Sequence, residues 1–172
     1  RAKNGRNPVD MGIGLNTDSV VSGNIGSPKR MDYTMIGDGV NLAARLESAC
    51  KQYAARILIS DNTFAKLRGT YRAREVDLVV VKGKTEPVGV YEVLDYHTPE
   101  TFPNLMDVVN YFREGIRHYR AGDWNKGIAS FKEALTANPS DKLAQTYIER
   151  CELLKKTPPK GEWDGVWVMT SK

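Results

Sequence analysis

The strongest constraint on the fold lies in residues 24–47, NIGSPKRMDYTMIGDGVNLAARLE, where one periodicity gives way to another. MDYTMI has the aromatic and β-branched mixture of a strand, and it breaks at Gly37-Asp38-Gly39. Beyond the break, Leu42, Leu46, Ala49 and Tyr53 recur at helical spacing. That stripe predicts a helix over residues 40–53 with its apolar side toward the core. Asp38 suits the N-cap, because its carboxylate can accept the unpaired N–H groups of the first turn. Asn41 and Arg45 lie four residues apart and so share a face beside the core stripe. Such a pair is either a solvated patch or a pair of groups reaching for a ligand, and the local pattern allows both.

The flanks extend the mixed pattern. Residues 10–16 (DMGIGLN) alternate, with Met11, Ile13 and Leu15 on one face and glycines on the other, which implies close approach by a helix or another backbone. Thr17-Asp18 supplies turn chemistry, and residues 19–25 return as a second strand, so a hairpin is expected there. RILIS at 56–60 reads as a short strand, and Ser60 or Asp61 can cap a helix over 62–67 that Gly69 ends. Residues 76–81 are β-rich, Lys82-Gly83-Lys84 and Pro87 form a connection, and VGVYEVL at 88–94 is a last strand. Strands, hairpins and helices mixed in this way predict an α+β sheet with helices on one face.

After residue 95 the character changes. Residues 96–103 (YHTPETFP), with two prolines, read as a linker, and beyond it the pattern is helical over 105–120, 124–137 and 141–155. Trp163, Val166, Trp167 and Val168 near the end predict a tail that packs back onto those helices. The expected organisation is a mixed unit at 1–95, a linker at 96–103, helices at 104–157 and a tryptophan-containing tail at 158–172.

Composition narrows the classes of function. With 41% hydrophobic and 27% charged residues the chain reads as globular. A formal charge of +4, with short basic clusters and no interleaved aromatics, does not argue for nucleic acid. The apolar run at 78–81 is too short to cross a bilayer. Cys50 and Cys151 fall on separate helices and read as small buried residues, which fits a cytoplasmic setting, whether free or as the cytoplasmic part of a membrane-anchored protein. Because Arg1 stands where an initiator Met would, the chain is expected to begin inside a longer protein.

The string DYTMIGDGVNLAARLES resembles the signature of the class III adenylate and guanylate cyclases. GIGLNTDSVVSGNIGSPKR before it and VVVKGKTEPVGVYEV after it follow in the family's order, so the resemblance covers roughly residues 10–95. It implies part of a ferredoxin-like nucleotidyl cyclase sheet. It also implies a reaction in which the 3′-hydroxyl of a nucleoside triphosphate attacks its own α-phosphate, at a site shared by two cyclase domains. By the same resemblance, Arg45 matches the arginine that stabilises charge at the α-phosphate, and Asn41 the asparagine that orients the ribose. Thr34 matches a purine-reading residue, as against a plain β-branched strand residue. Lys82 matches the lysine on the terminal phosphates, with Lys84 second. The family's Mg2+ or Mn2+ is held by two aspartates upstream of the position of Met11. Neither these nor the purine-reading lysine is found here, and Asp18, Asp32 and Asp38 read as turn, strand and cap residues.

Residues 111–141 resemble one tetratricopeptide repeat, with Tyr111, Gly115, Tyr119, Phe131, Ala134 and Pro139 near the positions of that pattern. Since a stable stack needs about three repeats, this all-α hairpin is expected to dock on the preceding unit or on a protein partner. Two readings from different classes follow. One is part of an adenylate cyclase that acts on ATP as a homodimer, with a guanylate cyclase as the rival. The other is a catalytically incomplete segment acting as a helical interaction module.

Overall fold

The structure is a computed structural model that describes residues 11–19, 21–25, 32–36, 38–69, 71–80 and 87–167, with the backbone alone for 21–25 and 32–36. The elements are β1 (Ile13–Leu15), β2 (Val21–Ile25), β3 (Asp32–Ile36), α1 (Asp38–Ala49), β4 (Ile57–Ser60) and α2 (Asp61–Lys66), then β5 (Ala73–Val79), β6 (Val88–Val93), α3 (Leu105–Arg120), α4 (Trp124–Ala137) and α5 (Lys142–Lys156). The expected mixed α+β sheet is present: β1, β4, β6 and β5 form a four-stranded sheet in that order.

The hairpin expected between residues 10–16 and 19–25 is not the pairing observed. β2 pairs antiparallel with β3, and β1 pairs parallel with β4, Ile13 opposite Ile57. A parallel pair needs a crossover connection, and α1 supplies it. The glycines explain why α1 fits. A Cβ on Gly14 would lie 2.3 Å from the Glu47 backbone nitrogen and 2.5 Å from the Ala43 carbonyl oxygen, so α1 rests directly on the β1 backbone. Leu42 and Leu46 are buried as the stripe predicts, as are Cys50 and Tyr53 just beyond the helix. Asp38 is the first helical residue of α1 and not the residue before it. At α2, Ser60 is the cap: its side-chain oxygen accepts from the Thr63 N–H.

The helices beyond the linker share a core with the sheet. Leu42, Leu46, Leu58, Val76, Val90 and Leu94 join Phe102, Val108, Phe112, Phe131 and Tyr147 in one buried cluster. Within the helical part, Gly115 lets α3 meet α4, since a Cβ there would fall 2.4 Å from the Phe131 ring. The tail folds back as expected. Trp163 donates its ring N–H to the Tyr119 carbonyl at 2.8 Å and packs edge-on against Tyr119 and Trp124. Both cysteines are free and buried.

Polar groups lock the junction. The buried guanidinium of Arg74 on β5 makes two 2.9 Å bonds to Asp141, just before α5, and a 3.0 Å bond to Glu92 on β6. The register of β5 against β6 shifts between Glu75 and Asp77, leaving Val76 as a bulge. Tyr147 of α5 donates its hydroxyl to the Val76 carbonyl. Among the described residues no helix is long and apolar enough to cross a membrane.

Candidate active site

α1 carries the polar pair that the sequence singles out. Asn41 and Arg45 are both exposed, one turn apart, beside the buried Leu42 and Leu46. The buried stripe fixes the rotation of the helix, so the pair faces away from the core for the same reason that the leucines face into it. Thr34 lies in the middle of β3, opposite Gly23 of β2. Lys82, like Gly83 and Lys84, lies outside the described residues. The structure therefore brings Asn41 and Arg45 together on one helix and places Thr34 on the strand that leads into it.

The start of α1 is anchored by side chains that the sequence reading did not single out. Asn16, just after β1, donates its amide to the Gly39 carbonyl at 3.0 Å, and its own carbonyl accepts from the Ser60 hydroxyl at 2.6 Å. Thr17 and Thr63 hydroxyls meet at 3.1 Å. Asp18 sits over the first turn so closely that a Cβ on Gly39 would fall 2.5 Å from its own Cβ. A carboxylate there is favoured by the partial positive charge of the helix start. Asn16 and Asp18 border a cleft of about 500 Å3 that Asp61 and Asn62 line together with Leu42, Ala65 and Val88. Asp61 is held on the far side, where it accepts the Gly89 N–H at 3.1 Å.

The other end of α1 meets the helical part. Tyr53 donates its hydroxyl to Asp77 Oδ2 at 2.6 Å, and Arg150 Nη1 of α5 reaches the same oxygen at 3.0 Å. Asp77 Oδ1 accepts the Leu78 N–H at 2.8 Å, so this buried carboxylate is fully partnered. Burial first, and then the Asp77 charge, push the Tyr53 hydroxyl well above its ordinary range, so it stays a donor. Burial alone would lower the Arg150 guanidinium. The surrounding phenol oxygens of Tyr147 and its neighbours and the Asp77 carboxylate outweigh it, and the net shift is upward. Arg150 also lies over the rings of Tyr147 and Trp167, 4.9 and 5.0 Å from their centroids. A cavity of about 470 Å3 lies beside these groups, and Arg45, Tyr53, Asp77, Val79, Val90 and Trp167 are among its walls.

A divalent cation asks for two or more convergent carboxylates or comparable ligands. Among the described residues no three His, Cys, Asp or Glu side chains converge in that way.

Comparison with known proteins bears on this site. Residues 1–95 match the family model described as the adenylate and guanylate cyclase catalytic domain. A terminal-differentiation-specific adenylate cyclase of Dictyostelium discoideum is 36% identical over 147 residues, which cover 83% of this chain and 7% of that protein. An adenylate cyclase of Anabaena cylindrica is 40% identical over 94 residues, 53% of this chain and 19% of that protein. Among solved structures, the adenylyl cyclase CyaB from P. aeruginosa is 41% identical, covering 49% of this chain and 42% of that one with a TM-score of 0.41. The guanylyl cyclase Cya2 is 38% identical, covering 54% and 46% with a TM-score of 0.44. The chain thus spans under a fifth of the length of these curated relatives. The Dictyostelium match, 83% of 172 residues or about 143, runs well past residue 95 into the helices.

Proposed function

The chain belongs to the adenylate and guanylate cyclase catalytic-domain family, and we propose that it is part of an adenylate cyclase that makes cyclic AMP and pyrophosphate from ATP, with residues 1–95 as the C-terminal half of the catalytic domain. The observation that carries this reading is the exposed Asn41–Arg45 pair on α1, within the family match and beside a buried stripe that fixes its direction.

The reaction joins O3′ of the ribose to the α-phosphorus and breaks the bond from that phosphorus to the β-phosphate oxygen. The hydroxyl proton leaves, and pyrophosphate carries away the bond's electrons. The protein's work is to position groups and meet developing charge. Arg45 presents a permanently charged planar fork to the α-phosphate oxygens. Asn41, able to donate and accept, orients the ribose. Thr34 reads the purine, and Lys82 holds the terminal phosphates. The divalent cation that would lower the hydroxyl's pKa, Mg2+ or Mn2+, is assigned to carboxylates upstream of this chain. A second cyclase domain, in a homodimer, supplies the complementary half of the site. The sheet is read as part of the family's ferredoxin-like sheet at 1–95, and residues 111–141 as one tetratricopeptide-like repeat within 104–157. The setting is taken as cytoplasmic.

The test uses the full-length protein with ATP and Mn2+, with cyclic AMP measured by chromatography. Arg45→Ala is expected to lower kcat by about 10²–10³-fold, the scale for removing one group aimed at transition-state charge. Full activity in that variant overturns the assignment. A guanylate cyclase is the rival reading, because the matched family model covers both activities. Competing GTP against ATP separates the two. An interaction module acting through the helices is less well supported, because their apolar faces are taken up by the sheet and by one another.

A further inference from the structure

Four residues outside the 32–48 signature string converge beyond the end of α1 from four parts of the chain. Tyr53 lies four residues past the end of α1, its N–H on the Ala49 carbonyl, Asp77 stands beside the β5 bulge, Arg150 projects from α5, and Trp167 lies in the tail. They form one continuous line. The Tyr53 hydroxyl and the Arg150 guanidinium share Asp77 Oδ2, at 2.6 and 3.0 Å, and the same guanidinium covers the Trp167 ring. Tyr53, Asp77 and Trp167 line the same cavity as Arg45.

The chemistry of the line is directional. Asp77 has its oxygens filled by a backbone N–H, a phenol and a guanidinium, so it admits one arrangement of the three elements. Its partners lie 24 and 73 residues away in sequence, so the restraint is tertiary and not local. At the opposite end α1 is tied by Asn16 to Gly39. A helix held at both ends and pressed on Gly14 has little freedom to slide or rotate. Small displacements of a group acting on a transition state are costly, about 10²-fold for roughly 1 Å.

We propose that Tyr53, Asp77, Arg150 and Trp167 are positioning residues for the cyclase reaction, through which the helical extension and its tail hold α1 so that Arg45 and Asn41 meet the substrate in register. This rests on the cyclase reading given above, and it assigns the extension a part in turnover and not only in stability.

The experiment uses the full-length protein with ATP and Mn2+, well below its unfolding temperature, with rates expressed per folded molecule. Tyr53→Phe removes one hydroxyl and Trp167→Ala trims the tail, so both are expected to fold. Arg150→Met, alone and with Asp77→Asn, tests the centre of the line. Expected are a fall in kcat of about tenfold with KM for ATP within about twofold, and faster amide hydrogen exchange across residues 38–49. Arg150→Lys should recover part of kcat. Arg72→Met, at an exposed ion pair with Asp95 on the sheet rim, is the control and should leave both readouts unchanged. Variants that lower only the unfolding temperature, with kcat and exchange of α1 as in the parent, overturn the proposal. Arg45→Ala in the same series keeps the two readings apart. Activity retained there refutes the role given to Arg45, while the exchange data still decide whether the extension holds α1.

Discussion

Replacing Arg74 by Met removes the centre of the junction and leaves two carboxylates behind. The Arg74 side chain is 5% exposed, Glu92 3% and Asp141 2%, so neither acid can turn to water without opening the interface between β5, β6 and α5. Burial alone would lower the Arg74 guanidinium, yet the bonds and charges of Asp141 and Glu92 hold it above its ordinary value. Glu92 is raised by burial, with Arg74 opposing the rise and Asp141 adding to it. Taking one partner from a buried pair costs about 3–5 kcal/mol. Proton uptake sets a ceiling on that loss, because a stranded Glu92 can go neutral. At pH 7 neutralising a carboxyl of ordinary pKa near 4.3 costs about 4 kcal/mol, at about 1.4 kcal/mol per pH unit.

The sign follows from which state holds the proton. In Arg74→Met the folded Glu92 binds its proton more tightly than the unfolded chain does. Its contribution is therefore present at low pH and lost as pH rises above the ordinary value of 4.5. Urea unfolding of the 172-residue chain should show Arg74→Met less stable by about 3–4 kcal/mol at pH 7, with the gap closing by about 1 kcal/mol per unit down to pH 5.5. Adding Glu92→Gln and Asp141→Asn should restore most of the loss at pH 7, since no buried charge is then unpaired. A gap below about 1 kcal/mol at pH 7, or one independent of pH, would refute the account. The values would then match an exposed pair such as Arg72–Asp95.

Three further outcomes are expected. Gly14→Ala puts a Cβ 2.3 Å from the α1 backbone, so α1 must lift; urea unfolding should show a loss of about 1–3 kcal/mol, and an unchanged midpoint would contradict the packing. Cys50 and Cys151 should resist iodoacetamide at pH 8 in the folded chain and react in urea, as read by mass spectrometry. Burial raises both thiols, Cys151 to about 12, so reaction in the folded state would show opening at α5 for Cys151 or at the end of α1 for Cys50. His97 is lowered, by burial first and then by Arg56, Arg74 and Arg72, so its contribution to stability is present above its ordinary 6.5 and lost as pH falls below it. His97→Gln should flatten the stability profile between pH 7 and 5, and an identical profile would remove His97 as its source.

What the sequence made legible follows from the range of each signal. The α1 stripe is a local periodicity, and Leu42 and Leu46 are buried where it puts them. Gly12 and Gly14 announced a close approach, and α1 is the element that makes it. Ser60 and Asp61 both offered cap chemistry, and Ser60 is the one that caps, accepting from the Thr63 N–H. The β1–β2 hairpin was read from turn chemistry at Thr17-Asp18, but β1's partner is β4, some 44 residues on, across a crossover that no local pattern encodes. The same limit hid the junction. Arg74, Asp77 and Glu92 look like the solvated positions of strands, and Asp141 and Arg150 like those of helices. Their partners lie 67 and 73 residues away. The one available hint was charge within otherwise β-rich runs. At the site, Asn41 and Arg45 were found through the signature, whereas Asn16, which anchors their helix, carries no mark beyond following a strand.

The junction also bears on why a helical segment too short to stand as a repeat stack is ordered here. A lone helical hairpin leaves an apolar face open, and about three stacked repeats are usually needed to close it. In this chain the sheet does the closing: Phe112, Tyr119, Phe131 and Tyr147 form a continuous aromatic cluster whose contacts run on into Val76 and Leu94. Apolar contact alone would bury those rings in several registers. The fork of Arg74 on Asp141, the phenol of Tyr147 on the bulged Val76 carbonyl, and Arg150 on Asp77 are each satisfied in one register only. Buried ion pairs add little net stability over an apolar replacement, but they penalise every misdocked alternative, in which a charge would be buried without its partner. The distribution of roles is then a physical division: rings supply the area that holds the helices to the sheet, and the charged network fixes where on the sheet they sit. Because one strand of that network ends at Tyr53, the same specificity that docks the extension also fixes the end of the helix bearing Asn41 and Arg45.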